Sequence, residues 1–240
     1  MRKDFAVFIL SNGRSQHVKT YEALLENNYT GDWFVVVDDL DEEMNRYISN
    51  FGESKVIVFD KKKYAYSVDY MTNNGKLNSV VYARNAVYDI AEEMGYKNFI
   101  VMDDDITNIK VRYVEEGTLK GKDIKNFDRF FDLMFRYSDE VKAESLSIGM
   151  QGDFIGGMNN KVVKSGYQRR CFGLFFLNTE RRVEFKGLAN EDLNASLLAG
   201  SVGGIWMSIL KAQLFTVDSG QDGGMTDFYM ESDNKYQQHS

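Results

Sequence analysis

Residues 98–106, Asn-Phe-Ile-Val-Met-Asp-Asp-Asp-Ile, constrain the fold more than any other stretch. Phe99, Ile100, Val101 and Met102 form an unbroken apolar run that gives way at once to Asp103, Asp104 and Asp105. A strand covered on both faces of an α/β sheet reads this way. Ligands of such sheets bind beyond the carboxyl ends of the strands, so the three acids arrive where a site is built. If the chain stays extended there, Asp103 and Asp105 point to one face and Asp104 to the other. Two hard oxygen donors on one face suit Mg2+ or Mn2+, which take one or two carboxylates and fill the remaining positions with phosphate oxygens. The plainer alternative is an acidic loop that caps the next element.

The preceding residues place that strand in a series. Residues 5–10 are almost wholly apolar and run into the polar loop Ser11-Asn12-Gly13-Arg14-Ser15. Val18, Tyr21, Leu24 and Leu25 then fall at helical spacing. A second strand over 33–37 ends in Asp38 and Asp39, and Leu40, Met44, Tyr47, Ile48 and Phe51 mark a second helix before a third strand at 55–59. This β-α-β-α-β alternation predicts a parallel sheet covered by helices. Residues 61–76 are polar and tyrosine-rich and read as a long loop. Val80, Ala83, Val87, Ile90 and Met94 make a helical stripe stopped by Gly95, with Arg84 and Asn85 on its polar side.

The second half is mixed. A short strand is expected at 109–114 and a loop at 117–122, followed by a helix whose Ile124, Phe127, Phe130, Phe131 and Met134 belong to a core. Leu146, Ile148 and Met150 alternate with polar residues, as in a half-exposed strand, and 171–177 is a dense aromatic strand. Glu191 and Asp192 fall just before or within the first turn of a helix carrying Leu193, Leu197 and Leu198, where acids complement the helix dipole. Ile205, Met207 and Ile209 alternate, and 214–217 adds a further strand. With no linker visible, the expectation is one α/β domain over 1–240: a mixed sheet flanked by helices, with a nucleotide-binding half (1–108) and an acceptor half (109–240).

Composition narrows the class. At 240 residues, 43% hydrophobic and 27% charged, the chain can bury a sizeable core, and its apolar runs are too short for a bilayer. The apolar start reads as a first strand rather than a secretion signal. A single cysteine, Cys171, excludes an internal disulfide and fits a reducing cytoplasm. Net charge is −7, yet residues 161–186 hold seven basic residues (Lys161, Lys164, Arg169, Arg170, Arg181, Arg182, Lys186) against two acids, a local balance of +5 that a polyanion could meet. An ordinary mixed surface is the alternative, and nothing in the sequence specifies an oligomer.

Taken together, the loop after 5–10, the Val35-Val36-Val37-Asp38-Asp39 strand end, Ala83-Arg84-Asn85, Ile100–Asp105 and Asn190-Glu191-Asp192 resemble the GT-A glycosyltransferases, whose mark is an Asp-x-Asp at a central strand end. Within that fold, Phe-Ile-Leu-Ser-Asn-Gly-Arg (8–14), with Val18-Lys19-Thr20-Tyr21 behind it, and Gln221-Asp222-Gly223-Gly224-Met225-Thr226-Asp227 resemble the TET-associated glycosyltransferases carried by bacteriophages. The resemblance implies sugar transfer from a nucleotide-sugar, a UDP-sugar by expectation, to hydroxymethylcytosine or hydroxymethyluracil in DNA. It also implies further strand and a histidine-bearing tail past the Gly-Gly-Met segment, and here the sequence departs from the pattern. Tyr236-Gln237-Gln238-His239-Ser240 offers His239 as a ligand or, as the plainer alternative, an ordinary terminal residue. A metal bridging the diphosphate would act as a Lewis acid, with Asp105 as direct ligand, Asp103 binding metal or ribose, and Asp104 behind them. Ser11, Asn12, Gly13 and Arg14 become the nucleotide loop, Arg14 and Arg84 contacts to phosphate or base, and Asp38 and Asp39 acceptors for uracil or ribose. Glu191 or Asp192 would serve as general base if the reaction inverts the anomeric carbon. The 161–186 stretch would meet DNA phosphates, and the base would be flipped out. Two other readings stand beside this: transfer to a glycan or small molecule, and a non-catalytic nucleotide-sugar or DNA-binding module.

Overall fold

The computed structural model describes residues 4–65 and 77–217. In its first half β1 (Phe5–Leu10), α1 (Lys19–Glu26), β2 (Asp32–Asp38), α2 (Met44–Phe51), β3 (Val56–Phe59), α3 (Lys61–Ala65), α4 (Val81–Glu93) and β4 (Asn98–Asp103) follow in order. Then come β5 (Ile106–Glu115), β6 (Thr118–Asp123), α5 (Phe127–Val141), β7 (Ser145–Gly149), α6 (Lys161–Ser165), β8 (Tyr167–Gln168), β9 (Leu174–Asn178), α7 (Glu191–Ser201) and β10 (Trp206–Thr216). The strands join one sheet in the order β3-β2-β1-β4-β9-β7-β10-β5-β6, with β8 added on β10. β3, β2, β1 and β4 run parallel; β9 is antiparallel to both β4 and β7.

Period-two alternation sends each strand's side chains into two cores. From β1, Phe5, Val7 and Ile9 enter the layer formed by α1, α2 and α5, where Phe127, Phe131 and Phe135 pack. Ala6, Phe8 and Leu10 enter the opposite layer with α4, residues 183–188 and Ala195 and Ala199 of α7. Both faces of the central strands are thus covered, which is why their sequences are continuously apolar.

Several expectations require correction. Residues 118–123 are a strand, not a loop: Glu116 and Gly117 both have positive φ (49° and 75°), the requirement of a two-residue hairpin turn, and Lys120 and Lys122 sit on an exposed edge. β7 is wholly buried rather than half exposed, because it lies between β9 and β10. Arg84 and Asn85 are buried because residues 183–191 close over α4; the Asn85 side chain exchanges two hydrogen bonds with the Phe185 backbone, each 2.9 Å. On α7 the leucines face outward, with Leu197 72% exposed, and Glu191, Ala195 and Ala199 form the buried face. The two strands expected between residues 205 and 217 are one, β10, and the loop expected from residue 61 begins as α3. The expectations on residues 66–76, 221–227 and 239 lie outside the described residues.

Candidate active site

The carboxyl ends of β1, β2 and β4 lie side by side, bringing residues 11–15, 38–41 and 103–105 to one edge. The first loop is braced from below. Gly13 takes φ +67°, a left-handed conformation that glycine adopts freely, and its N–H donates to Asp41 Oδ2 at 2.9 Å. Asn12 Nδ2 donates to Asp38 Oδ2 (2.9 Å) and Asp41 Oδ2 (3.3 Å), and the Ser15 N–H donates to Glu43 (2.8 Å). Asp38 also accepts from Lys61 Nζ (2.8 Å) and the Leu40 N–H (3.1 Å), which leaves a carboxylate with about four acceptor positions little to offer a nucleoside. Asp39 is exposed and accepts from the Lys61 N–H, on the side of α3.

Ser11 joins this loop to the acids. Its hydroxyl donates to Asp104 Oδ2 at 2.6 Å, so Tyr47 Oη, 2.7 Å away, must donate to Ser11 and accept from the Arg14 N–H (2.8 Å). Arg14 Nη1 donates to Asp104 Oδ1 at 3.1 Å. Asp104 is therefore buried against the loop. β4 stops at Asp103 and residues 104–105 form a turn, so the extended geometry expected for Asp103 and Asp105 gives way to a bend. Burial first, then the charges of Asp103 and Asp104, push Asp105 up to about 7.

Arg84 is the link across the site. Its Nη1 lies 2.8 Å from Glu191 Oε1 and 4.0 Å from Asp192 Oδ2, while Nη2 donates to Asp103 Oδ1 at 3.4 Å. The guanidinium sits 4.7 Å from the Phe175 ring centre and 5.7 Å from that of Phe185. Burial alone would weaken its hold on the proton; Glu191, Asp103 and Asp192 outweigh that and strengthen it. One buried cation thus joins the end of β4 to the start of α7. Gly173, at φ +64°, brings its backbone against the same edge: its carbonyl accepts from the Asp103 N–H at 2.9 Å, and a side chain there would come within 3.6 Å of Asp103 Oδ2.

Five carboxylates (Asp103, Asp104, Asp105, Glu191, Asp192) face two guanidinium groups (Arg14, Arg84), a formal surplus of three negative charges. Burial accordingly raises Asp103, Asp104 and Asp192 above the ordinary carboxylate range and takes Glu191 to about 7. A divalent cation fits this donor set. Among the described residues no three of His, Cys, Asp and Glu form a metal cage. Mg2+ and Mn2+ use one or two carboxylates plus phosphate oxygens and so do not need one.

The basic 161–186 stretch divides. Arg170 pairs with buried Asp153, Arg182 with Asp89, Arg181 with Asp139 and Lys186 with Glu184. Lys161, Lys164 and Arg169 are exposed and pair with no carboxylate among the described residues. Several supporting residues escaped the sequence reading: Asp41, Tyr47, Lys61, Gly173 and the Phe175–Phe185 pair, while Thr20 entered it only as part of the Val18-Lys19-Thr20-Tyr21 segment, with no role attached. The nearest signal was Tyr47, read only as one residue of an apolar stripe.

The sequence matches the family model TET-Associated Glycosyltransferase over residues 5–224. No curated protein matches the sequence. Among solved structures, S. aureus TarS 1-349 in complex with UDP aligns with TM-score 0.50 and 13% identity over 94% of this chain and 62% of that one. Glucosyl-3-phosphoglycerate synthase from Mycobacterium tuberculosis, in complex with Mg2+ and UDP, aligns with TM-score 0.48 and 9% identity over 90% and 72%. The chain thus spans less than two thirds of the TarS structure, with which it shares the GT-A fold. By its match across nearly the whole sequence, the chain belongs to the TET-associated glycosyltransferase family.

Proposed function

We propose that the protein transfers a sugar from a nucleotide-sugar, with UDP-sugar as the donor, to a hydroxymethylpyrimidine base in DNA. The observation that carries this reading is the pair of acid groups on the two sides of Arg84: Asp103 and Asp105 at the end of β4, Glu191 and Asp192 at the start of α7. A metal-dependent, inverting sugar transfer uses both, one set toward the leaving diphosphate and one toward the attacking hydroxyl. UDP in the TarS structure supports the choice of donor.

Asp105 and Asp103 would hold Mn2+ or Mg2+, which when bound supplies Lewis-acid stabilisation of the leaving diphosphate. Ser11, Asn12, Gly13 and Arg14, held rigid by Asp38, Asp41 and Tyr47, line the donor side. Arg84, expected to reach phosphate or base, is instead enclosed by protein and positions the acids. Glu191 is buried and committed to Arg84, so the half-buried Asp192 is the better general base for an inverting transfer. Exposed Lys161, Lys164 and Arg169 offer the contacts to DNA phosphates.

The test incubates the protein with Mn2+, a panel of UDP-sugars and DNA containing hydroxymethylated cytosine or uracil. A hexose or pentose mass added to the modified base is expected. Donor hydrolysis with unmodified DNA would contradict the acceptor and leave the donor site standing.

A further inference from the structure

We propose that Thr20, in the first turn of α1, is the positioning residue that sets the direction of the Asp103 and Asp105 carboxylates. This rests on the reading of those acids as the donor site. Thr20 is fully buried and touches the acid turn three times. Its N–H donates to the Asp104 carbonyl at 3.1 Å, its hydroxyl donates to the Asp103 carbonyl at 2.5 Å, and the same hydroxyl accepts from the Ile106 N–H at 3.0 Å. First-turn N–H groups have no acceptor within their own helix, so the Thr20 N–H is free to serve the turn.

The bonds reach three successive peptide planes. The Asp103 carbonyl fixes the plane between 103 and 104, and the Asp104 carbonyl the plane between 104 and 105. The Ile106 N–H fixes the plane between 105 and 106. Both planes flanking Asp105 are therefore held by one side chain and its own backbone, with the Val217 N–H adding a bond to the Asp105 carbonyl at 3.0 Å. Strand pairing cannot do this work, since β4 ends at Asp103 and β5 resumes at Ile106. The residue type is specific. A hydroxyl gives and accepts a hydrogen bond at one atom, and β-branching limits its rotamers. Valine keeps the shape and loses both side-chain bonds; serine keeps the bonds with looser rotamers; cysteine keeps a weak donor and a weak acceptor.

Isothermal titration of UDP, with and without Mn2+, against wild type, Thr20→Ser, Thr20→Cys and Thr20→Val tests the assignment, with thermal unfolding of each protein alongside. The Mn2+-dependent part of UDP affinity should fall in the order Ser, Cys, Val, by roughly tenfold to a hundredfold at Val if ligands move by about an ångström. UDP affinity without metal should stay within about twofold across the series, because the hydroxyl's donor and acceptor bonds both end on the acid turn and none reaches the nucleoside side. Amide exchange at Ile106 should speed up in the same order. If Thr20→Val does not fold, the Ser-to-Cys step carries the comparison. Unchanged Mn2+-dependent affinity in a folded Val or Cys variant would overturn the clamp alone. Equal loss with and without metal, without recovery in Thr20→Ser, would also overturn it, by reducing Thr20 to a folding residue. Absence of Mn2+-dependent UDP binding in wild type would overturn the donor reading and the clamp with it.

Discussion

At residues 103–105 the backbone is pinned: Gly173, Thr20 and Val217 hold the turn through main-chain groups, and Asp104 is tied to Ser11 and Arg14. At residues 191–192 the helix start sets the backbone, and one guanidinium, Arg84, supplies the charge that faces both acids. The bonds that shape the first arrangement end on main-chain groups of the turn and do not involve the carboxylates of Asp103 and Asp105. The second depends on a single buried cation. Charge developing on a diphosphate calls for fixed ligand directions, whereas proton abstraction calls for a carboxylate whose proton affinity is tuned by its neighbours.

The largest expected effects separate the two sets by binding. Asp192→Asn should lower transfer by about a hundred- to ten-thousandfold, the usual worth of a general base, with Mn2+-dependent UDP binding kept. Asp105→Ala should lower transfer by about a hundred- to a thousandfold and remove that binding as well. UDP titration of both variants checks this, and equal loss of UDP binding in Asp192→Asn would erase the distinction.

Arg84→Met comes next. It leaves Asp103, Glu191 and Asp192 without their shared cation, and breaking a buried ion pair in this way costs about 3–5 kcal/mol. Chemical denaturation should register that loss, against a change close to zero for Asp105→Ala. A second effect on stability is expected from pH. Burial raises Glu191 from its ordinary 4.5 to about 7 and Asp105 to about 7 from 3.8, so the folded, metal-free protein binds more protons than the unfolded chain between those values. Stability should therefore fall as pH rises through that window, and Glu191→Gln should flatten the fall.

The candidate surface for DNA carries the smallest prediction. Replacing Lys161, Lys164 and Arg169 by alanine should reduce the salt dependence of DNA binding by up to about three units of slope while leaving UDP binding untouched. An unchanged slope would remove this surface from the acceptor site.

How far these features were legible follows from where the physical signal lies. β1, β2 and β4 declared themselves because strands buried on both faces must be apolar throughout, and the acids stood out by interrupting such a run. β6 was hidden because an exposed edge strand is written in lysine and glycine, the vocabulary of loops. The burial of Arg84 and Asn85 is decided by residues 183–191, about a hundred positions away, as the Asn85 hydrogen bonds to Phe185 and the Arg84 ion pair with Glu191 record. α7 misled because its leucines face outward while small alanines pack inward. Thr20 lay within the Val18-Lys19-Thr20-Tyr21 segment that resembles the family, but one threonine beside an apolar stripe shows no role until the turn it binds is in place.

The most direct measurement is a crystal structure with UDP and Mn2+ bound. An anomalous peak should bridge the diphosphate oxygens to the carboxylates of Asp105 and Asp103, with Asp192 facing an open cleft on the sugar side. A cation bound elsewhere, or a diphosphate lying away from the end of β4, would contradict the assignment of these acids to the donor.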